Sequence, residues 1–127
     1  MARIERFEDV IAWQKARSLT CEVYRVSNQG AFARDFALRD QVRRACISVM
    51  SNIAEGFERY SGAEFKHFLA VARGSAAEVR SQLYLACDLG YVDQETFDRF
   101  RRDCSEISRL LGALRTSIER KFAATRS

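Results

Sequence analysis

Apolar residues recur every three or four positions in four long segments of this 127-residue chain, and no proline interrupts any of them. This spacing places each apolar set along one side of an α-helix. The predicted helices span about residues 8–27, 36–58, 62–89 and 94–122. Four such helices with short connections bury their apolar stripes most simply as an antiparallel, up-down-up-down four-helix bundle. At this length we expect one all-α domain over residues 1–127.

Polar residues that cap helices mark the predicted ends of these segments. Asp35 and Asp93 precede the second and fourth helices, where their carboxylates can accept hydrogen bonds from free backbone N–H groups. Ser61 and Glu64 form the S-x-x-E pattern of a capping box at the start of the third helix. Gly90 is the expected end of that helix. The segment between the first two helices is expected to be a loop.

The third predicted helix carries more apolar surface than one bundle core can take. Leu83, Tyr84, Leu85 and Ala86 are consecutive, so they point in different directions around the helix. A helix that is apolar on more than one side is buried on more than one side. We therefore expect a homo-oligomer, with Trp13, Tyr84 and Leu85 as candidate contacts between subunits.

Gly74 lies in the middle of the same helix. Glycine costs about 1 kcal/mol relative to alanine in a helix interior. We expect the close approach of a neighbouring helix at this position.

The chain is basic, with a net charge of +4 and a pI near 9.1. Of its 21 basic residues only Lys15, Lys66 and Lys121 are lysines. This balance permits binding to RNA or DNA without establishing it, since arginine bias also follows genome base composition. No apolar run approaches the ~20 residues that span a bilayer, and the N-terminus lacks the apolar segment of a secretory signal. A cytoplasmic protein without a membrane segment is expected.

A row of polar residues runs along the second predicted helix beside its apolar stripe, and it has two interpretations. In the structural one, the side chains form a satisfied network between helices, with Arg44 paired to Glu55 or Glu78, because buried charges need partners. This network comprises Arg44, Ser48, Ser51, Asn52, Glu55 and Glu78. In the functional one, arginines of the region form a strip that binds the phosphates of nucleic acid. This strip comprises Arg39, Arg43, Arg44 and Arg59.

The sequence lacks the residue sets of common catalytic and metal sites. His67 is the only histidine, so the pair Glu64-x-x-His67 cannot recur in one chain as the di-iron bundle motif requires. No two cysteines have the C-x2–4-C spacing of structural zinc sites. We expect buried free thiols at Cys21, Cys46, Cys87 and Cys104. The expectation is a protein with no enzymatic activity, no metal and no cofactor.

Four stretches of the sequence resemble the family of four-helix bundle proteins also called S23 or 23S rRNA intervening-sequence proteins. They are FEDVIAWQKA (7–16), LRDQVRRACISVMSNIAEGFER (38–59), SGAEFKHFLAVARGSAAEV (61–79) and LACDLGYV (85–92). The likeness covers about residues 7–118, and its SNIAEG core is fairly specific. The sequence departs from the family pattern at Met50, where proline is usual, and in the loop QGAFARDFAL.

The resemblance implies a cytoplasmic bacterial protein that forms an antiparallel bundle and a homopentameric ring, with no established enzymatic activity. The family is similar to the accessory proteins of diversity-generating retroelements, which are basic pentamers that bind nucleic acid and a reverse transcriptase. Some members are encoded within insertions in 23S rRNA genes, which suggests RNA association. Two functions follow as alternatives: an accessory protein of RNA or DNA, or a scaffold ring that binds another protein.

Overall fold

A computed structural model describes residues 4–126 of the chain, with side chains as far as Lys121. A 3-10 turn at Phe7–Asp9 leads into the helices. The α-helices of this part are α1 (Ile11–Ser27), α2 (Gly30–Arg34), α3 (Phe36–Phe57), α4 (Gly62–Asp88) and α5 (Gln94–Arg126). Four of them are long and no strand occurs between residues 4 and 126, so the all-α prediction is confirmed. Within that range, no helix combines the length and the apolar character needed to cross a membrane.

The four long helices pack in sequence order around one core. α3 packs on both α1 and α4, while α5 packs on both α4 and α1. Ion pairs show that α1 and α5 are antiparallel: Lys15 lies 3.3 Å from Glu106, and Glu22, seven residues later, lies 2.8 Å from Arg99, seven residues earlier. The connections between α3 and α4 and between α4 and α5 are short, so each of these neighbouring helices also runs antiparallel to the one before it, as expected for such a bundle.

The short helix α2 stands where a loop was expected. Its Phe32 is buried, and the ring stacks on Tyr91 with 5.1 Å between the ring centroids. The Tyr91 hydroxyl donates a hydrogen bond to Asp35 at 2.9 Å, and Asp35 caps α3 by accepting from the backbone N–H of Leu38 at 3.1 Å. One aromatic side chain therefore anchors the whole connection against the end of the bundle, because its burial removes a large apolar area from water.

The other predicted helix ends are present in the structure. Ser61 accepts a hydrogen bond from the backbone N–H of Glu64 at 3.1 Å. Asp93 accepts from the backbone N–H of Thr96 at 2.8 Å, and this hydrogen bond holds the pKa of Asp93 below its usual value. Gly90 ends α4 with a φ of 74°, in the left-handed region that glycine adopts without strain.

The close helix contact expected at Gly74 occurs elsewhere. A Cβ atom added to Gly74 would meet no atom of the described chain within 4 Å. One added to Gly56 would lie 2.7 Å from the Cβ of Phe68 and 3.1 Å from the ring of Phe65. The tight approach of α3 to α4 is therefore at Gly56, and Gly74 faces open space on the outer side of α4.

The cysteines differ in their exposure. Cys46 and Cys104 are buried, as expected, and burial raises the pKa of each thiol to about 12. Cys87 is half-buried. The expectation is wrong for Cys21, which is exposed because its side of α1 faces away from the bundle core. All four are free thiols.

Candidate nucleic-acid interface

A small polar cluster joins α3 to α4 at the middle of the bundle. The hydroxyls of Ser48 and Ser75 lie 2.7 Å apart across the two helices. The amide nitrogen of Asn52 donates to the backbone carbonyl of Ser48 at 2.8 Å and lies 3.0 Å from its hydroxyl. Three side chains thus satisfy one another in a partly buried position, as polar groups between packed helices must. Sequence reasoning did not identify Ser75 as the partner of Ser48.

The charged members of the expected network do not join this cluster. Glu55 pairs with Arg59, just after the end of α3, at 2.7 Å, in place of the expected Arg44. Arg44 and Glu78 are exposed and make no ion pair or hydrogen bond between residues 4 and 121. Arg44 and Glu55 are eleven residues apart on one helix, or about 16 Å at 1.5 Å per residue, which exceeds the reach of an ion pair.

The arginines proposed from the sequence as an anion-binding strip are separated by the structure. Arg39 stacks on Phe36 at 4.8 Å and bonds to Asp40 at 2.9 Å. Arg59 lies twenty residues later, just after the end of α3, at a distance of about 30 Å along the helix direction. Arg59 stacks on the ring of Phe68 and pairs with Glu55. These two arginines lie near opposite ends of α3 and cannot form one short strip.

Arg43 and Arg44 lie together near the start of α3, beside the end of α1. Arg43 donates to the hydroxyl of Ser27 at 2.8 Å, and its guanidinium lies 4.5 Å from the Tyr24 ring centroid. Both arginines line a shallow pocket of about 280 Å³ that also contains Asp40. Arg43 is held by its contacts with Ser27 and Tyr24, and the carboxylate of Asp40 offsets part of the positive charge. Arg44 is therefore the main cation of this surface without a contact in the described chain.

A second set of arginines lies where α4 and α5 pack side by side. Lys66 of α4 lies 3.0 Å from Glu119 of α5, so these two residues mark the facing sides of the helices. On α4, Arg73 and Arg80 follow Lys66 at intervals of seven residues, or about two turns, and so lie on the same side of the helix. On α5, Arg115 and Arg101 lie close to the side of Glu119, whereas Arg102 and Arg109 lie about a quarter turn further round. We call this surface the arginine face. It comprises Arg73 and Arg80 of α4 and Arg101, Arg102, Arg109 and Arg115 of α5.

One of these arginines lies over a glycine of α5. The guanidinium nitrogen of Arg73 is 3.5 Å from the position that a Cβ on Gly112 would occupy, so Arg73 lies across α5 at this point. Arg115 is on the next turn of α5, and its Nε atom is buried with no hydrogen-bond partner. Glu119 lies beside Lys66 and Arg115, and these cations hold the pKa of its carboxyl below the usual value, Lys66 more strongly.

Apart from Glu119, which pairs with Lys66 at one end of the arginine face, the neighbouring carboxylates make their contacts at its border. Glu106 pairs with Lys15 on the α1 side of α5, at 3.3 Å, and lies 3.8 Å from Arg109 at the margin of the face. Asp103 shares that side with Glu22, and burial together with this neighbouring carboxylate raises the pKa of Asp103. On α4, Glu78 lies one turn after Ser75, whose hydroxyl contacts Ser48 of α3. Glu78 is therefore on the α3 side of α4, away from α5.

The candidate subunit contacts differ in their exposure. Trp13 is half-buried against its own chain, with its ring 5.2 Å from that of Phe7. Tyr84 and Leu85 are 49% and 48% exposed, although the Tyr84 ring also packs on Phe97 at 4.7 Å. Leu89, the residue that follows α4, is 50% exposed and was not predicted as a contact. In the single chain, Tyr84, Leu85 and Leu89 therefore expose large apolar side chains at the end of α4.

The single histidine is an exposed residue beside an aromatic ring. His67 lies 5.6 Å from Phe68, measured between ring centroids. The backbone N–H of Glu64 donates to the Ser61 hydroxyl, which is the serine half of the predicted capping box. Residues 4–121 contain no cluster of three or more histidine, cysteine or acidic side chains that could hold a metal ion.

Comparisons with known proteins agree with the helical architecture. The family model described as "23S rRNA-intervening sequence protein" matches residues 8–113. A crystal structure of a protein of unknown function from the S23 ribosomal protein family of Bacteroides thetaiotaomicron superposes with a TM-score of 0.74 at 23% identity. That match covers 82% of this chain and 97% of the other, and it supports the fold. No curated protein matches the sequence at a significant level.

Proposed function

Because the chain belongs to the 23S rRNA-intervening sequence protein family, we propose that it is a non-enzymatic, self-assembling bundle that associates with nucleic acid. The observation that supports the proposal is the arginine face, where six arginines of the packed helices α4 and α5 are exposed or half-buried and the carboxylate of Glu119 is paired with Lys66. Phosphate backbones bind such surfaces by releasing condensed counterions, with little dependence on sequence. The free thiols and the bacterial S23 neighbour support a bacterial cytoplasmic setting.

Self-assembly rests on the exposed apolar residues at the end of α4. We propose that Tyr84 and Leu85, together with Leu89, contact a second copy of the chain, in a ring of five subunits as the family resemblance implies. Five copies of a chain with net charge +4 carry about +20, which would strengthen the attraction of a polyanion.

Light scattering tests the assembly. A mass that is a multiple of 14.6 kDa at micromolar concentration is expected. Replacing Tyr84 and Leu85 by charged residues should return the chain to monomer while circular dichroism shows unchanged helix content. A wild-type mass of 14.6 kDa would reject the ring. Loss of helix content in the variant would place these two side chains in the core of the single chain.

Binding to nucleic acid is tested by its salt dependence. We would measure the affinity of the wild-type protein for a structured RNA and for duplex DNA at about 50 and 200 mM salt. If six phosphates are contacted, the slope of log affinity against log salt is about −5, and affinity falls about a thousandfold over that range. Absence of binding at low salt would refute the proposal and favour the protein-binding scaffold, whose supporting observation is the exposed apolar end of α4.

A pair of variants with equal loss of charge locates the binding surface. Replacing Arg73, Arg101 and Arg109 by glutamine should reduce the slope to about −3, because three phosphate contacts are lost. The control replaces three arginines of α3 by glutamine, namely Arg39, Arg43 and Arg44. We expect the control to bind nearly as tightly as the wild type, since two of those guanidinium groups are already engaged within the chain. A larger loss in the control would assign binding to α3.

A further inference from the structure

The C-terminal end of α4 combines exposed apolar side chains with carboxylates. Leu85 and Leu89 are about half exposed and lie four residues apart, on one side of the chain. Glu78 precedes Leu85 by about two helical turns and Asp88 follows it by about one, so both carboxylates lie near that side. Both are exposed, and neither makes an ion pair or hydrogen bond between residues 4 and 121. We call Glu78, Leu85, Asp88 and Leu89 the acidic surface.

A second exposed apolar surface lies at the start of α3, beside the end of α1. Phe36, Arg44 and Ile47 follow one another at intervals of about two turns and one turn, so they lie on one side of α3. Phe36 is 62% exposed and Ile47 is 44% exposed. Tyr24 of α1 lines the shallow pocket of about 280 Å³ together with Arg44 and Ile47. We call Tyr24, Phe36, Arg44 and Ile47 the basic surface.

The two surfaces have opposite charge. The carboxylate of Asp40, which borders the basic surface, lies 2.9 Å from Arg39 and offsets that cation. The two arginines that line the pocket therefore leave an excess of positive charge, whereas the two carboxylates on α4 make the other surface negative. Two copies of the same surface would repel each other, while one surface of each kind would attract.

From this complementarity we infer that the acidic surface of one chain packs on the basic surface of a second copy, with Leu85 seated in the pocket that Tyr24 and Ile47 line. This inference rests on the proposed self-assembly and assigns the two surfaces that meet. Large side chains that fill pockets contribute most of the energy of an interface. The charges decide which surfaces pair. When one such contact joins two chains, each still has a surface free to bind a further copy, which permits a closed ring.

Two variants that each disable one surface test the contact by complementation. Leu85→Asp places a charge in the acidic surface where an apolar side chain is required, and Ile47→Asp does the same in the basic surface. Each variant alone should sediment as a monomer of 14.6 kDa. Their equimolar mixture should form a pair of twice that mass and nothing larger, because the intact acidic surface of one variant meets the intact basic surface of the other.

A matched control carries the same type of substitution outside both surfaces. Ile11 is 52% exposed at the start of α1, so Ile11→Asp changes charge and apolar area by the same amount as Ile47→Asp. This control should keep the mass of the wild-type assembly. Circular dichroism should show unchanged helix content in all three variants, since each replaced side chain is substantially exposed in the single chain.

Charge reversal tests whether complementary charges select the pairing. Asp88→Arg and Arg44→Glu should each weaken self-association about two- to fivefold, as expected for the loss of an exposed ion pair. The double variant restores one charge of each sign, with the signs exchanged between the surfaces. It should associate more tightly than either single variant.

The possible failures are distinguishable. A wild-type mass of 14.6 kDa would overturn the proposed self-assembly together with the inference. If the wild type assembles, three results would overturn the inference alone: an Ile47→Asp variant that still assembles, a mixture that stays monomeric up to millimolar concentration, or a double charge reversal that associates more weakly than both single variants.

Discussion

The packing of α3 on α4 makes a quantitative prediction at two glycines that the sequence does not distinguish. Both Gly56 and Gly74 lie within helices. A methyl group added to Gly56 would have its carbon 2.7 Å from the Cβ of Phe68, whereas carbon atoms in optimal contact are 3.5–4.0 Å apart. The two helices must therefore separate locally by roughly 1 Å. A methyl group added to Gly74 meets nothing within 4 Å.

The expected free energies have opposite signs. Overpacking typically costs about 1–3 kcal/mol, while alanine is more favourable than glycine in a helix interior by about 1 kcal/mol. Gly56 lies in the last turn of α3, so Gly56→Ala gains little from the higher helix propensity of alanine. We therefore expect this variant to lose about 1–2 kcal/mol of unfolding free energy. Gly74→Ala is expected to gain up to about 1 kcal/mol.

Chemical denaturation followed by circular dichroism measures both changes under one set of conditions, including protein concentration. A gain for Gly56→Ala similar to that for Gly74→Ala would refute the close approach of α3 to Phe68. A loss for Gly74→Ala that grows with protein concentration would show that a second copy of the chain covers this position, in conflict with the open space around it in the single chain.

Three further predictions follow from individual side chains. Asn52→Ala should lower the free energy of unfolding by about 1–2 kcal/mol, because it leaves the partly buried serine without its amide partner; an unchanged melting temperature would contradict the polar cluster. In thiol labelling at pH 8, Cys21 should react quickly, whereas Cys46 and Cys104 should react only on unfolding. Burial raises the pKa of these two thiols to about 12 and keeps them protonated. Equal labelling rates for the three thiols would refute their difference in burial. Leu85→Ala should weaken self-association in sedimentation without changing helix content, and an unchanged association constant would remove this residue from the interface.

Helix limits could be predicted because their signals are local. Asp35, Ser61 and Asp93 each accept a hydrogen bond from the backbone N–H group three positions later, so a short window of sequence contains the whole interaction. The apolar periodicity likewise predicts which side of each helix is buried. Trp13, predicted as a contact between subunits, packs instead against the core of its own chain and on Phe7, in a turn that the periodicity does not describe.

The candidate site could not be predicted in the same way, since it depends on which helices are neighbours. Arg73 and Arg80 are seven residues apart, and this spacing is visible in the sequence. That they face Arg101 and Arg115 follows only from the antiparallel packing of α4 on α5. The arginines of α3 drew attention because they lie in the segment with the most specific family pattern, yet the structure uses Arg39 and Arg43 to hold α2 and the end of α1.

Protection of individual arginines from chemical modification tests the central claim most directly, since it uses the unaltered protein. The protein would be treated with a dicarbonyl reagent specific for guanidinium groups, with and without a 20-base-pair duplex, and the modified positions would be quantified by mass spectrometry. The account predicts that the duplex protects Arg73, Arg80 and Arg102, while the exposed Arg25 and Arg34 react as they do in the free protein. Equal protection at all five positions, or protection confined to Arg25 and Arg34, would contradict it.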